Sequence, residues 1–383
     1  MIGPGTIDGG HFPTKLLGEV VTFLDNLRKP ITESDRDPGP IPYYGANGQQ
    51  DSVAGWIFDE PLVLLAEDGG HFDNPSRGIA YQVDGKSWVN NHAHVLRAGP
   101  DIYTRWLARV LENYDVSRFL TGSTRAKLTK AGAAAIPIPV PPIDEQRRIA
   151  TVLDAADALR SKRRHALAKL DTLTQAIFID MFGDPFVNDR AWPVAPFDQL
   201  CPTHLGKMLD QKRQTGLDPR PYLRNTNVRW FGFDLDDVAY MDFDSGDRAK
   251  YRLETEDVMI CEGGEPGRAA VWRGEVGECY FQKALHRGRP NPKLATSDFI
   301  VHLLARLAAG GGLLDHISTA TIAHLTGQRL KAMNVIAPPV ELQRRFGDLA
   351  HAVDEHRRRV ARSARELEDL FSSLQWRAFG GEL

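Results

Sequence analysis

The chain has 383 residues, 42% hydrophobic and 25% charged, which is typical of a globular protein of two domains. Its 47 basic and 50 acidic residues give a net charge of −3, which excludes a strongly basic, histone-like binder but not a local basic surface. Cys201, Cys261 and Cys279 form no Cys-x-x-Cys pair, so we expect no disulfide framework and a reducing compartment. Because the sequence contains neither a signal peptide nor an apolar stretch of membrane-spanning length, we expect a cytoplasmic protein with no membrane contact.

Residues 14–142 contain short apolar runs separated by turn-forming residues, a pattern typical of β-strands. We predict strands at Leu62–Leu65, Ile79–Val83 and Ser87–Val89. Asp84-Gly85, between the last two, is a typical hairpin turn and predicts that these two strands pair.

A long helix is predicted after Pro141-Pro142, because prolines cannot continue a helix but can precede one. Phe182-Gly183 is a usual helix end. From Asp144 to Met181 the helix would be about 57 Å long at about 1.5 Å per residue. Apolar residues alternate at spacings of three and four, the pattern of a coiled-coil seam, at Ile149, Val152, Ala156, Leu159, Ala166, Leu170, Leu173 and Ile177.

The second half of the chain repeats the first. The segment Pro141–Arg148 recurs 197 residues later as Pro338–Arg345, and Phe182-Gly183 recurs at the same distance as Phe379-Gly380. A second seam follows in the same register, at Phe346, Leu349, Val353, Val360, Leu367, Leu370 and Leu374.

The parts that precede the helices repeat more loosely. Val63–Gly70 is similar to Asp257–Gly264, 194 residues later, and Asn91–Ala93 to Gln282–Ala284, 191 residues later. A drifting distance indicates a shared core with loops of different length. Because loops carry recognition and scaffolds carry geometry, this pattern predicts two related but non-identical ligands.

Six segments share their pattern with one known family: Tyr43–Gly48, Thr121–Leu128, Ile136–Pro142, Glu145–Ala150, Gly263–Ala270 and Ala337–Arg345. Together they resemble the specificity subunits of type I restriction–modification systems, over about Pro13 to Phe379. The proline pair followed by Glu145-Gln146 is moderately specific alone, and its duplication ahead of matched heptads makes the likeness strong. In the second copy, Leu342 stands where the first has Glu145.

The resemblance implies a function. In this family two target-recognition domains each read one half of a split site in double-stranded DNA, and two conserved helices pack antiparallel and set the gap between the half-sites. The helices also dock two methyltransferase subunits, which bind S-adenosylmethionine and methylate adenine at N6. A separate restriction subunit cuts DNA in phage defence, and whether one accompanies this chain stays open. The specificity subunit itself is not catalytic, so the resemblance implies no cofactor and no metal on this chain.

The resemblance also implies an α+β fold. We expect two similar target-recognition domains, each followed by a long helix, and the two helices packing as an antiparallel coiled coil with pseudo-two-fold symmetry. The expected boundaries are residues 1–142 for the first recognition domain, 143–182 for the first helix, 183–340 for the second domain and 341–383 for the second helix.

Charge placement agrees with DNA binding. Residues 116–143, 279–297 and 316–340 contain no acid but several cations, which suits phosphate contact. Asn and Gln suit adenine edges and Arg suits guanine, although a lone Asn is more often a turn former. The DNA-binding candidates are Tyr44, Asn47, Gln49, Gln50, Asn90, Asn91, His92, Ser123, Thr124, Arg125, Lys127 and Lys130 in the first domain, and Arg224, Asn225, Asn227, Arg268, Gln282, Lys283, Arg287, Thr321, Gln328 and Arg329 in the second.

Further cations cluster in the middle of each predicted helix, at Arg160, Lys162, Arg163 and Arg164 and at Arg357, Arg358 and Arg359. With acids nearby, they form a solvated helix face in one interpretation. In two alternative interpretations, these cations contact a partner subunit or the spacer DNA.

Motifs of other protein classes are incomplete. Ala80–Ser87 lacks the first glycine of a phosphate-binding loop, and Asp242–Asp244 begins like a calcium loop whose later ligands are missing. His92 and His94 have no third metal ligand at a recognisable spacing. Asp73–Ser76 lacks the second proline and the aromatic residue of an adenine-methyltransferase motif.

Two other classes of protein stay open. One is a coiled-coil scaffold with two protein-binding domains and no DNA role, against which the acid-free basic stretches argue. Duplex binding that weakens steeply with salt would distinguish it. The other is an enzyme with an unrecognised site, which an assay of the isolated chain with S-adenosylmethionine would test.

Overall fold

The computed structural model describes residues 12–74, 77–122, 125–208, 216–313 and 324–383. The chain divides into two compact units. One ends at His165 and takes in Ala361–Leu383, and the other is Ala166–Val360. Each long helix therefore contributes one part to each unit. Among the described residues, no helix is long and apolar enough to span a membrane.

The first unit is built from short strands that precede the first long helix. Its strands are β1 Thr14–Leu16, β2 Val21–Phe23, β3 Pro38–Gly45, β4 Gly48–Val53, β5 Phe58–Asp59, β6 Leu62–Ala66, β7 Ala80–Val83, β8 Lys86–Val89, β9 Ala93–Ala98, β10 Leu120–Thr121, β11 Lys127–Leu128 and β12 Pro137–Pro139. Its helices are α1 Leu17–Val20, α2 Thr104–Glu112, α3 Lys130–Ala134 and the first part of α4 Ile143–Phe182. One sheet has the order β2-β9-β6-β7, a second has β4-β3-β8-β5, and β1 pairs with β12.

The second unit has a corresponding set of elements. Its strands are β13 Val194–Pro196, β14 Thr203–Leu205, β15 Pro219–Leu223, β16 Val228–Arg229, β17 Gly232–Phe233, β18 Ala239–Asp242, β19 Val258–Cys261, β20 Ala269–Val271, β21 Tyr280–Phe281, β22 Leu285–Gly288 and β23 Asn334–Ile336. Its helices are α5 Phe197–Leu200, α6 Ser245–Tyr251, α7 Ser297–Ala309, α8 Gly327–Ala332, the second part of α4 and the first half of α9 Val340–Gly380. The sheets are β14-β22-β19-β20 and β18-β15-β21, and β13 pairs with β23.

The two units share one topology. The sheets β2-β9-β6-β7 and β14-β22-β19-β20 have equivalent strand orders, and β15 pairs parallel to β21 as β3 pairs parallel to β8. The predicted α+β class with two similar domains, each followed by a long helix, is therefore confirmed. The cores are apolar, and all three cysteines are buried free thiols.

Hydrogen bonds in the two units correct the match between the copies by one residue. The Glu67 amide donates to the carbonyl of His92, and the Glu262 amide donates to that of Ala284. The strand β6 therefore corresponds to β19 at a distance of 195 residues, and β9 to β22 at 192. Because side chains alternate across a strand, a slip of one residue exchanges its two faces, and short apolar runs in a sequence do not fix the register.

The predicted hairpin at Asp84-Gly85 is wrong. The strand β7 pairs with β6, whereas β8 pairs with β3 and β5 in another sheet. Gly85 has a φ of 70°, so the dipeptide does form a tight turn, but the chain crosses there from one sheet to the next. An Asp-Gly pair specifies the backbone conformation of a turn and not the partner of the strand that follows.

The two long helices pack against each other within each unit. In the first unit, Ile149 and Leu153 of α4 share a core with Phe371 and Phe379 of α9. In the second unit, the ring of Phe178 in α4 lies 5.5 Å from that of Phe346 in α9. The N-terminal part of α4 thus meets the C-terminal part of α9, and the reverse, so the helices pack antiparallel as predicted.

The predicted seam is wrong at four leucines, which are exposed: Leu159, Leu173, Leu349 and Leu370. Large buried side chains lie elsewhere, for example at Phe178 and Phe371, because the helix ends pack on the sheets as well as on each other. Gly183 follows α4 with a φ of 76°, but α9 includes Gly380 and stops at Gly381, which has a φ of 78°.

The glutamine of the repeated motif joins each long helix to its domain. Gln146 is fully buried, and its amide nitrogen donates to the carbonyls of Asp101 at 2.9 Å and Pro141 at 2.8 Å. Its amide oxygen accepts the backbone N–H of Tyr103 at 2.8 Å. Gln343 makes the same three bonds, to Leu294, Pro338 and Thr296. The motif is therefore an anchor for the helix.

The residue before each glutamine differs between the two copies, Glu145 in the first and Leu342 in the second. The bonds of the glutamines are the same in both. Glu145 pairs with Arg148 at the surface, at 2.7 Å. Leu342 packs on the core of the second unit.

A second helix–domain anchor has different chemistry in the two units. In the first, Arg109 of α2 is buried and donates to Asp154 at 2.8 Å and Asp157 at 3.0 Å in α4, and to Glu112 at 2.8 Å. Arg105 also donates to Asp154, at 2.9 Å. Burial opposes ionisation of Asp154, but these hydrogen bonds outweigh it and lower the pKa of the carboxyl.

At the equivalent places in the second unit, an acid on the domain meets a histidine on the helix. Asp298 of α7 lies 3.2 Å from the Nε2 of His351 in α9. His302 replaces Arg109 and stacks on Phe231 at 4.5 Å, and its burial lowers the pKa of the imidazole to about 4. The contacts between each domain and its long helix therefore differ in the two units.

Replacing Arg109 with Leu should lower the free energy of unfolding by about 2–3 kcal/mol, because the partly exposed carboxylates lose a buried counter-charge. The stability of the parent that depends on ionised Asp154 is present above about pH 4 and is lost below it, since the folded pKa is depressed. Urea unfolding at pH 7 and pH 3.5 should show a smaller acid-induced loss in the variant. Arg97→Leu, which breaks an exposed pair with Glu60, is the matched control and should cost under about 1 kcal/mol.

Candidate nucleic-acid interface

The loop that follows β6 gathers several of the predicted DNA-binding residues. One carboxylate oxygen of Asp68 lies 2.6 Å from the Nδ1 of His92 and 3.0 Å from a guanidinium nitrogen of Arg125. Asn47 donates to the carbonyl of Gly69 at 3.0 Å. Lys127 lies opposite Asp68 in an isolated β-bridge. Side chains from four separate parts of the sequence therefore meet at one end of the sheet.

Buried amides fix the shape of this surface. Asn90 is 4% exposed, accepts the backbone N–H of His92 at 2.8 Å and donates to Gln50 at 3.0 Å. In the second unit Asn227 is 3% exposed, accepts the N–H of Arg224 at 2.9 Å and donates to two backbone carbonyls. These two amides hold their own loops, so we expect no base contact from them in this conformation.

An ion-pair network lies directly behind the loop. His94 is buried, with its Nδ1 2.7 Å from Asp25 and its Nε2 2.8 Å from the carbonyl of Leu128. Arg28 and Lys127 pair with Glu67 at 2.5 and 2.9 Å. Although burial alone would raise it, the pKa of Asp25 is lowered by the hydrogen bond with His94, and that of Glu67 by its bonds with the two cations.

Asp25, Glu67 and His94 lie close enough together to hold a metal ion. Both ring nitrogens of His94 are already engaged, however, the Nδ1 by Asp25 and the Nε2 by the carbonyl of Leu128. The carboxylates are already matched by Arg28 and Lys127. The arrangement fits a structural ion-pair network.

The second unit has the same backbone frame after β19. The Leu325 amide donates to the carbonyl of Glu262, as Leu128 donates to Glu67. The Nε2 of His286 lies 3.2 Å from the carbonyl of Leu325, as His94 does from that of Leu128. The bridge between Gly263 and His324 repeats the bridge between Asp68 and Lys127.

The side chains on this common frame differ at every equivalent place. Asp68, Asn90, Asn91, His92 and Lys127 become Gly263, Gln282, Lys283, Ala284 and His324. In the second unit Arg268 donates to the carbonyl of Asn225 at 2.9 Å and pairs with Glu265 at 2.9 Å. The two loops thus present different donors, acceptors and charges from one backbone geometry.

The remaining predicted residues fall into three groups. Fully or largely exposed are Asn47, Gln49, Gln50, Asn91, Arg125, Lys127, Lys130, Lys283, Gln328 and Arg329. Partly covered are Tyr44, His92, Arg224, Asn225, Arg268, Gln282 and Arg287. Ser123, Thr124 and Thr321 lie outside the described residues.

All three partly covered arginines are held by the protein itself, Arg268 through the bonds to Asn225 and Glu265 given above. Arg224 pairs with Asp237 at 2.7 Å, and Arg287 donates to the carbonyls of Lys250 and Arg252 at 3.1 Å. Burial lowers the pKa of Arg287.

Several of the mid-helix cations pair with acids of the helices. Arg160 pairs with Glu368 and stacks over the ring of Phe371 at 4.1 Å. Arg357 lies 3.8 Å from Asp171, and Arg358 lies 2.6 Å from Asp354. These contacts favour the interpretation of a solvated helix face that carries several ion pairs. Lys162, Arg163 and Arg359 are exposed.

Sequence reasoning missed Asp68, Glu67, Arg28 and Asp25. DNA-binding candidates were selected from basic and amide residues, so acidic residues on the same surface were not considered. The available signal was Glu67-Asp68-Gly69-Gly70, an acidic pair ahead of a turn directly after a buried strand. The rejected phosphate-loop pattern at Ala80–Ser87 lies on β7, β8 and the turn between them, without a following helix.

The chain thus has a duplicated sheet whose end loops share a frame and differ in chemistry. A model of the type I restriction modification DNA specificity domain matches residues 12–169. A Haemophilus influenzae protein named as a type I restriction enzyme specificity subunit is 31% identical over 352 residues, which cover 89% of this chain and 87% of that protein. This chain therefore belongs to the family of type I restriction–modification specificity subunits, a non-catalytic class.

More distant relatives agree with this assignment. The EcoKI specificity subunit of Escherichia coli is 22% identical over 353 residues, covering 80% of this chain and 74% of that protein. The crystal structure of a type I S subunit from M. genitalium has a TM-score of 0.61 at 13% identity and covers 99% of both chains. A chain from a study of complex assembly in a type I R-M system has a TM-score of 0.57 at 17% identity, with 98% of both chains covered. These two structures share the fold of this chain.

Proposed function

We propose that this chain reads a split target in double-stranded DNA, with one half-site for each recognition domain. The observation that carries the proposal is the pair of equivalent loops after β6 and β19. They hold the same backbone bonds but different side chains, for example Asp68 and His92 against Gly263 and Ala284. Because base edges are read by the pattern of donors and acceptors, one frame with two chemistries suits two different half-sites.

Exposed cations beside these loops support the contact with phosphates. Lys127 and Lys130 border the first loop, and Lys283 and Arg329 lie near the second, with the neutral amide of Gln328 beside Arg329. The Lys127 side chain is 46% exposed, although its partner Glu67 is only 12% exposed, so a phosphate can approach the ammonium group from the solvent side. We expect duplex affinity to fall steeply with salt, which the scaffold alternative does not predict.

The long helices are proposed to set the spacer between the half-sites and to dock two methyltransferase subunits. Leu173 of α4 and Leu370 of α9 occupy equivalent positions in the repeat and are 39% and 50% exposed. Two equivalent apolar positions support the binding of two copies of one partner. S-adenosylmethionine and the transfer of its methyl group to adenine are assigned to that partner, and this chain contributes no cofactor site. A restriction subunit, where one accompanies this chain, would join the same complex.

Modified-base sequencing tests the proposal. DNA is taken from cells that express this chain with its methyltransferase subunit, and cells with the methyltransferase alone are the control. We expect a new bipartite motif with N6-methyladenine in both halves, separated by a fixed spacer. At most about 17 base pairs would fit the length of one helix at about 3.4 Å per step.

Absence of new methylation from a stable complex would contradict the proposal. It would favour the alternative in which the two domains bind proteins. Salt titration of duplex binding by the same complex separates these outcomes, because a protein-binding scaffold shows no steep dependence on salt.

A further inference from the structure

Asp68 is held rigidly at the first candidate reading surface. Its side chain is 18% exposed, whereas those of His92 and Arg125 are 42% and 68% exposed. The Asp68 amide and that of Glu67 both donate to the carbonyl of His92. Gly69 follows with a φ of 66°, a conformation that favours glycine and turns the chain sharply after the carboxylate. The carboxylate is therefore fixed beneath two more exposed side chains.

This carboxylate restricts both of its partners. It accepts from the Nδ1 of His92, so the Nε2 is directed away and has no partner among the described residues. It also holds one terminal nitrogen of Arg125, which limits the rotamers of a long side chain that is otherwise free. The remaining guanidinium donors form a planar fork, and that fork matches the O6 and N7 acceptors of guanine.

A carboxylate repels DNA phosphates, so phosphate binding does not explain why Asp68 lies on this surface. Its ion pair with Arg125, whose side chain is 68% exposed, contributes little to folding. The second unit has Gly263 at the equivalent position, on the same backbone frame, so the frame does not require the acid. The acid is thus peculiar to the first reading surface.

We propose that Asp68 is a positioning residue that orients Arg125, with His92 beside it, to read a guanine in the first half-site. The inference rests on the proposed function and deepens it. It assigns a specificity role to a residue that does not itself attract DNA. The second half-site is read without a positioning carboxylate at this place, since Gly263 is the equivalent residue.

The effect of Asp68→Ala on affinity and on specificity should have opposite signs. Removing the negative charge should leave total duplex affinity unchanged or raise it, because phosphate repulsion falls. Preference for guanine at one position of the first half-site should fall about ten-fold, since an untethered Arg125 discriminates less well between bases. The second half-site should be unchanged and serves as an internal control. A role in folding alone would lower affinity at all positions together.

The experiment uses the full chain in complex with its methyltransferase. Modified-base sequencing gives the motif for the parent, Asp68→Ala and Arg125→Lys, and competition binding to duplexes with every base at each position gives the preferences. Arg125→Lys keeps the charge but not the fork, and should lose the same guanine. Asp59→Ala removes an exposed acid elsewhere in the unit and should change neither half-site. Thermal unfolding checks that each variant is folded.

The outcomes separate this inference from the proposed function. If the parent produces no bipartite motif, the proposed function fails. If the parent produces one but Asp68→Ala leaves the first half-site unchanged, or if that half-site contains no guanine, only the inference is overturned. A uniform loss over both half-sites also overturns it. Should Asp68→Ala fail to fold, Arg125→Lys still decides whether the guanine is read by the fork.

Discussion

Replacing Gln146 with Leu should lower the free energy of unfolding of the first unit by about 3–4 kcal/mol. The amide is fully buried and makes three bonds, so the substitution leaves the carbonyls of Asp101 and Pro141 and the N–H of Tyr103 without their partner. Each buried polar group that loses its partner costs about 1–3 kcal/mol, offset partly by the added apolar surface of leucine. Urea unfolding followed by circular dichroism measures the change.

Two further variants make the test specific. Gln343→Leu removes the equivalent anchor and should destabilise the second unit by a similar amount. Gln175→Leu alters an exposed glutamine on the same helix as Gln146 and should cost less than about 0.5 kcal/mol. If Gln146→Leu unfolds within about 0.5 kcal/mol of the parent, the glutamine is not an anchor.

The anchor explains why the sequence predicted the scaffold well. Three bonds from one side chain require a glutamine at a fixed distance after the proline pair, so the motif recurs at the same spacing in both copies. The long helices and their antiparallel packing followed from that repeat. The exposed leucines, such as Leu159 and Leu349, could not be foreseen, because heptad spacing marks one face of a helix and does not tell which domain or partner covers it.

The reading surface was less predictable, for a physical reason. Asn47, His92, Arg125 and Lys127 were selected by residue type, and the fold brings them to one loop. Asp68 was missed, since its importance depends on bonds between segments 24 and 57 residues apart. Asn90, in contrast, was selected as a DNA-binding candidate but is buried and bonds to its own loop. The amide of an asparagine can bond to the backbone of a turn as well as to adenine, so residue type does not separate the two roles. Residue type therefore indicates which surface binds DNA. Only the hydrogen bonds and ion pairs between its side chains distinguish the residues that contact bases from those that position them.

The contacts between domain and helix differ in the two units, which bears on how two recognition domains can diverge on one scaffold. Arg105 meets Asp154 in the first unit, whereas Asp298 meets His351 in the second, beside the guanidinium of Arg273. Moving the second domain onto the first helix would place Asp298 against Asp154. Two carboxylates are unfavourable partners, so this contact favours the second domain on its own helix while the loops remain free to vary.

The double variant Leu173→Glu, Leu370→Glu should abolish methyltransferase binding. Both side chains are exposed in the free chain, at 39% and 50%, so a charge there costs little stability but is unfavourable in an apolar interface. Each single variant should lower the stoichiometry from two methyltransferase subunits to one, and the double variant to none, as measured by the mass of the complex in solution. Ala168→Glu adds the same charge at another exposed position of α4 and should keep both subunits. A double variant that still binds two subunits would place the docking surface elsewhere, while loss of both subunits in either single variant would mean that the two sites do not act independently.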